Sequence, residues 1–241
     1  MLSEEERQRY RRQIILPDWG EAGQERLKRA KVVVVGAGGL GSAALAYLAV
    51  AGVGKIRIID HDRVELSNLN RQMLHSDKDV GKRKADSAKA RLEALNPDIV
   101  VEAFAETITE KNSLELIADY LIVDALDNLP ARYLLNKVAL RTNRPLFHGA
   151  VCGFEGRATT IHPGRTPCLA CLYEGAMPGE IPVVGVTPGI IGCVQATEVI
   201  KHILGIGELL TNRMLVCDGR TMTFSEMKLK RNPNCRECGE L

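Results

Sequence analysis

Aromatic residues make up only 4% of this 241-residue sequence, with a single tryptophan, so an aromatic-rich β-sandwich core is disfavoured. A dominant charge is also missing. Thirty-two Lys and Arg face thirty Asp and Glu, a formal charge of +2, and composition therefore argues for neither a nucleic-acid partner nor a membrane surface. Residues 1–12 are dense in charge where a secretory signal needs an apolar stretch, so a cytoplasmic location is expected. The interval between Lys31 and Lys55 carries no charge and is long enough to span a bilayer, but six glycines interrupt it, and turn logic excludes a membrane helix. Internal repeats and low-complexity linkers are absent, which favours one domain over residues 1–241. Seven cysteines, an odd number without an export signal, argue against a disulfide framework.

What is present is 45% apolar residues, mostly Ala, Val, Ile and Leu, enough for a packed core of strands covered by helices. Ser3 and Glu6 form a capping-box pattern opening a helix that ends at Pro17, and 21–30 reads as a second helix. Lys31-Val32-Val33-Val34-Val35 reads as a buried strand, followed by Gly36-Ala37-Gly38-Gly39-Leu40-Gly41, a helix over 42–51 and a strand over 55–60. Further strands are expected at 99–104, 120–123 and 145–147, with helices over 82–95, between the first two of these strands, and over 132–142. Beyond His148, 157–161 and 222–229 alternate like antiparallel strands, 190–204 has helical spacing, and the Gly/Pro-rich 175–189 is the candidate mobile loop. The expected fold is α/β: a Rossmann-like, doubly wound, mainly parallel sheet extended by antiparallel strands, with ligands beyond the carboxyl ends of the parallel strands.

The glycine turn stands where backbone N–H groups and a helix dipole favour phosphate, and Asp60, at the end of the second strand, is placed to accept from ribose hydroxyls. These residues leave NAD and ATP both open. Arg71, in Ser67-Asn68-Leu69-Asn70-Arg71-Gln72, and Lys84 supply the positive charge a triphosphate needs, which tilts the choice to ATP, although solvated basic residues would look the same. Asp124 and Asp127-Asn128 place carboxylates at another strand end, suited to Mg²⁺ or to capping a helix. Cys168 and Cys171 form one C-x-x-C and Cys235 and Cys238 another, four thiolates for a closed, structural Zn²⁺ site clipping the tail to the second half; redox dithiols are the alternative. Cys152, Cys193 and Cys217 lie among apolar neighbours and read as buried packing residues.

Taken together, Tyr10-Arg11-Arg12-Gln13-Ile14-Ile15-Leu16, the glycine turn, Asp60, Ser67 to Gln72, Lys84, Asp127-Asn128 and the two cysteine pairs resemble the ThiF/MoeB/HesA family, prokaryotic relatives of the ubiquitin-activating enzymes. Met227-Lys228-Leu229 before Asn232-Pro233-Asn234-Cys235 resembles its molybdopterin-synthase-activating branch. The resemblance implies ATP-dependent adenylation of the C-terminal glycine of a small ubiquitin-like sulfur carrier ending in Gly-Gly, in the molybdopterin, thiamine or another sulfur pathway. It implies N-terminal helices over 1–30, a nucleotide-binding half over 31–148 and a carrier-binding, zinc-holding half over 149–241. It implies further that Gly39 and Gly41 lie at the nucleotide, Asp60 binds ribose, and Ser67, Asn68, Arg71 and Lys84 line the phosphates. Asp127 would hold Mg²⁺ with Asn128 beside it, Arg12 would reach the phosphates from the other subunit of a homodimer, and Cys168, Cys171, Cys235 and Cys238 would bind zinc. Some family members bond covalently to the carrier through a cysteine that aligns near Pro178. Residues 172–192 contain none, and no rhodanese-like domain is appended, so the chemistry is expected to stop at the acyl-adenylate and leave sulfur delivery to a separate donor.

Three other readings share parts of this pattern. A relative adenylating a tRNA base or a peptide would keep the nucleotide site and differ in the second half. A nicotinamide-dependent oxidoreductase would use the glycine turn and Asp60, but no His or Tyr is convincingly placed as proton donor to a carbonyl. A catalytically silent scaffold would have no need of the full set of charged positions.

Overall fold

The computed structural model describes residues 1–173 and 181–239. Ser3 opens α1 (Glu4–Arg9) with both capping-box bonds: its Oγ accepts from the Glu6 N–H at 3.1 Å, and Glu6 Oε2 accepts from the Ser3 N–H at 2.7 Å. The single helix expected up to Pro17 is instead two, because the chain breaks at Tyr10. That ring is buried and its hydroxyl accepts from Asn96 Nδ2 at 2.8 Å, and α2 (Arg11–Ile14) starts afresh beyond it. There follow α3 (Gly20–Arg29), β1 (Lys31–Val35), α4 (Gly39–Ala51), β2 (Lys55–Ile59), α5 (Lys84–Leu95), β3 (Val100–Phe104), α6 (Ser113–Ile117), β4 (Leu121–Asp124), α7 (Leu129–Thr142) and β5 (Leu146–Cys152). The second half comprises β6 (Glu155–Ile161), α8 (Leu169–Leu172), α9 (Val186–Leu204), β7 (Arg213–Asp218) and β8 (Thr223–Lys228).

Eight strands form one sheet in the order β3-β2-β1-β4-β5-β6-β7-β8. It is parallel from β3 to β5 and antiparallel from β5 to β8. The strand order reverses between β1 and β4, where the helices leaving the two strands diverge and open a crevice at their carboxyl ends. Register sets its walls, since Val35 pairs with Ile59 on one side and Asp124 on the other.

Alternation along β1 divides the core. Val32 and Val34 join a cluster with Leu45, Leu48 and Ile56 under α4, α5 and α9, while Val33 and Val35 join Ile117, Ile122 and Leu135 under α6 and α7. Helices α4 and α9 cross closely at Gly192, where a Cβ would stand 2.4 Å from Leu40 O. The uncharged stretch 31–55 is thus strand, turn, helix and strand, and among the described residues no helix is long and apolar enough to cross a membrane. The end of the proposed loop 175–189 is helical from Val186 onward. Pro188 falls in the first turn of α9, where a missing N–H removes no intrahelical bond. The part of that expectation resting on 175–180 lies outside the described residues.

Candidate nucleotide site and thiol cluster

Two glycines of the turn after β1 answer to packing. Gly36 has φ +102°, and a Cβ there would lie 2.5 Å from Ala125 O; one on Gly41 would lie 1.9 Å from Gly36 O. At Gly39 an added Cβ would meet Pro188 Cγ at 2.9 Å and Arg71 Cγ at 3.6 Å, so Pro188 and the Arg71 side chain stand over the turn. No side chain caps α4 at Gly38, leaving its first-turn N–H groups and positive dipole end for an anion.

Asp60, half-buried beyond β2, ties this turn to the next loop. Its Oδ2 accepts from the Ala37 N–H at 2.7 Å and its Oδ1 from the Asp62 N–H at 2.8 Å, leaving a second lone pair on each oxygen for a ribose hydroxyl. Lys84 is buried at the start of α5 and donates from Nζ to Asp62 Oδ2 at 2.9 Å, so its ammonium is held beside the Asp60 loop. A 3₁₀ turn over Leu66–Asn68 organises the next segment: Asn68 Oδ1 accepts from the Glu65 N–H at 3.1 Å, and Ser67 Oγ donates to Glu65 Oε2 at 3.3 Å. Arg71 Nη1 donates to Ser67 O and Asn70 Oδ1, each at 3.0 Å.

Sequence reasoning missed three residues here: Asp62, which holds Lys84, and the buried His75 and Gln72. His75 Nε2 lies 3.2 Å from Ala37 O and Nδ1 lies 2.9 Å from Ser87 Oγ; burial pushes its pKa down, so the ring is neutral and braces the turn. Gln72 Nε2 would be 3.7 Å from a Cβ on Gly38.

Across the crevice, Ala125 follows β4 and donates its N–H to Val35 O at 3.0 Å, which lays the 125–128 loop against the glycine turn. Asp127 is exposed on that loop. Asn128 is the N-cap of α7, its Oδ1 accepting from the Ala131 N–H at 3.0 Å with Pro130 in the first turn. Arg12 joins none of this within one chain. It is exposed on α2, whose Gln13 donates to Ala51 O at the far end of α4, a helix about 20 Å long.

The four paired cysteines do come together, all four sulfurs lying within 4.8 Å of one another. Cys168 Sγ is 3.8 Å from Cys235 Sγ, and Cys171 Sγ is 3.6 Å from Cys238 Sγ. Sulfurs tetrahedrally placed about 2.3 Å from a zinc ion would stand roughly 3.8 Å apart, so the cluster fits zinc. Burial pushes the Cys168 and Cys171 thiols up; at Cys235 burial is outweighed by the Glu237 and Cys238 N–H groups, which hold it down to about 7. The Leu169 N–H donates to Asn136 Oδ1 at 2.9 Å, fastening α8 and its thiols to α7. Of the other cysteines, Cys217 is buried and Cys193 half-buried in α9, but Cys152 is exposed at the end of β5, contrary to its expected burial.

A model of the ThiF family matches residues 10–237. The chain belongs to the ThiF family. Similar relatives include a "sulfur carrier protein adenylyltransferase" of Thermus thermophilus, 46% identical over 99% of this chain and 93% of its own length. A "SAMP-activating enzyme E1" of Haloferax volcanii is 48% identical over 96% of this chain and 88% of its own. An "adenylyltransferase and sulfurtransferase MOCS3" of Arabidopsis thaliana is 40% identical over 99% of this chain, which spans only 53% of that protein. Among solved structures, Escherichia coli MccB with ATP superposes at TM-score 0.80, with 28% identity over 90% of this chain and 68% of that one. The ThiF family's parallel sheet with an antiparallel extension is therefore the fold of this chain.

Proposed function

We propose that this protein adenylates the C-terminal glycine of a small ubiquitin-like sulfur carrier ending in Gly-Gly. One carboxylate oxygen attacks the α-phosphorus of ATP, the bond from that phosphorus to the bridging β-phosphate oxygen breaks, and the products are the acyl-adenylate and pyrophosphate. What carries this reading is the gathering of Asp60, Arg71 and the Lys84–Asp62 pair around an uncapped helix N-terminus at the strand-order reversal, in a chain 46% identical to a sulfur carrier protein adenylyltransferase. Such chemistry asks the protein mainly to position and to neutralise charge. Gly39 admits the phosphates and Asp60 takes the ribose. Ser67, Asn68, Arg71 and Lys84 line the charged oxygens; Arg71 and Lys84 offset the charge that builds on the leaving pyrophosphate. Asp127, exposed beside the turn, suits Mg²⁺, which when bound screens the phosphates.

The wider reading is a single domain acting as a homodimer in which Arg12 reaches the partner's site, consistent with its distance from its own. Sulfur comes from a separate donor, in keeping with the lack of cysteine in 172–192. A cytoplasmic location belongs to the same reading, in keeping with the odd number of cysteines. ATP–pyrophosphate exchange dependent on a carrier ending in Gly-Gly tests the proposal. Arg71→Ala and Asp127→Ala should each lower exchange about 100-fold or more with an unchanged melting curve. No carrier-dependent exchange refutes it, and exchange that survives both substitutions removes Arg71 and Asp127 from the site.

A further inference from the structure

Behind the Asp127 loop runs a buried polar chain that the adenylation reading does not use. Asp124, the last residue of β4, has no exposed surface and pairs in register with His148 on β5, which is equally buried. Asp124 Oδ2 is 2.7 Å from His148 Nδ1, and Arg132 Nε stands 3.6 Å from the same oxygen. A carboxylate only accepts, so the ring hydrogen sits on Nδ1; Nε2, 2.9 Å from Tyr173 Oη, accepts from the phenol. Tyr173 is fixed in turn, its carbonyl accepting from Tyr133 Oη at 2.6 Å and its ring packed edge-on to His148 at 5.5 Å.

The inner end of the chain grips the two peptide units on either side of Leu126. Asp124 Oδ1 accepts from the Leu126 N–H at 3.1 Å, while Arg132 Nη2 donates to Leu126 O and, at 3.0 Å, to Gly149 O. Asp127 is the next residue. Apolar side chains would stabilise this edge as well as a buried ion pair does, so stability alone is a poor reason for the arrangement. Its bonds converge on the backbone that aims the Asp127 carboxylate.

We propose that His148 is a positioning residue: oriented by Tyr173, it holds Asp124, which with Arg132 fixes the peptides on both sides of Leu126 and so the direction in which Asp127 meets the metal of bound ATP. This rests on the metal-binding reading of Asp127. The test titrates Mn²⁺, in place of Mg²⁺, into the full chain with a non-hydrolysable ATP analogue, reading free Mn²⁺ by electron paramagnetic resonance. His148→Leu should weaken Mn²⁺ binding about tenfold. His148→Asn, whose amide can still donate to Asp124, should stay within about threefold of the unaltered protein, with Tyr173→Phe between the two. Unaltered Mn²⁺ affinity in His148→Leu, or in Tyr173→Phe if the leucine variant does not fold, overturns the proposal, as does an asparagine variant no better than Tyr173→Phe. Asp127→Asn separates the two ideas: if it binds Mn²⁺ normally, the Asp127 reading falls and this inference with it, whereas a defect there with none at His148 removes the positioning role alone.

Discussion

Glu102 on β3 is held by four donors from three residues: Lys55 Nζ at 2.7 Å, Arg57 Nη2 at 2.7 Å and Nε at 2.9 Å, and the Tyr120 hydroxyl at 3.0 Å. Burial would raise its pKa, but those donors outweigh it and hold the carboxyl at about 2. A depressed folded-state value means that the stabilisation is complete above the unfolded value near 4.5 and is lost as pH falls toward 2. Glu102→Gln should therefore flatten the fall in urea midpoint across that window, removing about 2 kcal/mol of pH-dependent stability. An acid limb of unchanged slope would sink this assignment. At this scale the site was legible wherever the signal was local. Gly36, Gly39, Gly41 and Asp60 declare themselves by spacing between a strand and a helix. Lys84 could be picked out by type, but its partner Asp62 and the bracing His75 depend on how 61–83 folds back over the turn, and no periodicity encodes that. Asp127 and Asn128 looked alike in sequence and separate only once α7 is seen to begin at Leu129.

Elements were legible in proportion to their length and to the cleanness of their pattern. β1 to β4, as apolar runs bounded by turn residues, fell within a few residues of their expected places, whereas β5, expected over 145–147, runs on to Cys152 by pairing with β6. β7 escaped although Met214-Leu215-Val216-Cys217 is an apolar run bounded by Asn212-Arg213 and Asp218-Gly219; so short a run does not separate strand from helix by itself, and pairing with β6 and β8 makes it a strand. α8 is only four residues and forms where Cys168 and Asn136 pin it. Zinc on the four thiols would tie α8 to the tail. Chelation under reducing conditions should lower the melting temperature by several degrees, as expected when metal binding is coupled to folding. It should also expose 230–239 to proteolysis while leaving ATP binding in place. A tail that stays protected after zinc loss has been verified would argue against a structural metal.

On the scale of the whole molecule, the role proposed for Arg12 would leave the site incomplete within one chain, because α2 lies against the end of α4 remote from the glycine turn. In a two-fold dimer each pocket would take Arg71 from one subunit and Arg12 from its mate. Arg12→Ala and Arg71→Ala chains, each inactive alone, should together regain about a quarter of full exchange after random subunit reassortment, because one pocket of every hybrid is whole. Verified hybrids without recovered exchange would place Arg12 elsewhere.

The sheet is bounded by β8, all six of whose residues are exposed. Such a rim offers unpaired amides to any passing strand, and here Glu226, fastened to Arg213 at 3.0 Å, and Lys228 stand along it. An incoming strand would have to strip water from those charged side chains before zipping on, so the margin of this protein carries its own deterrent to fibrous stacking.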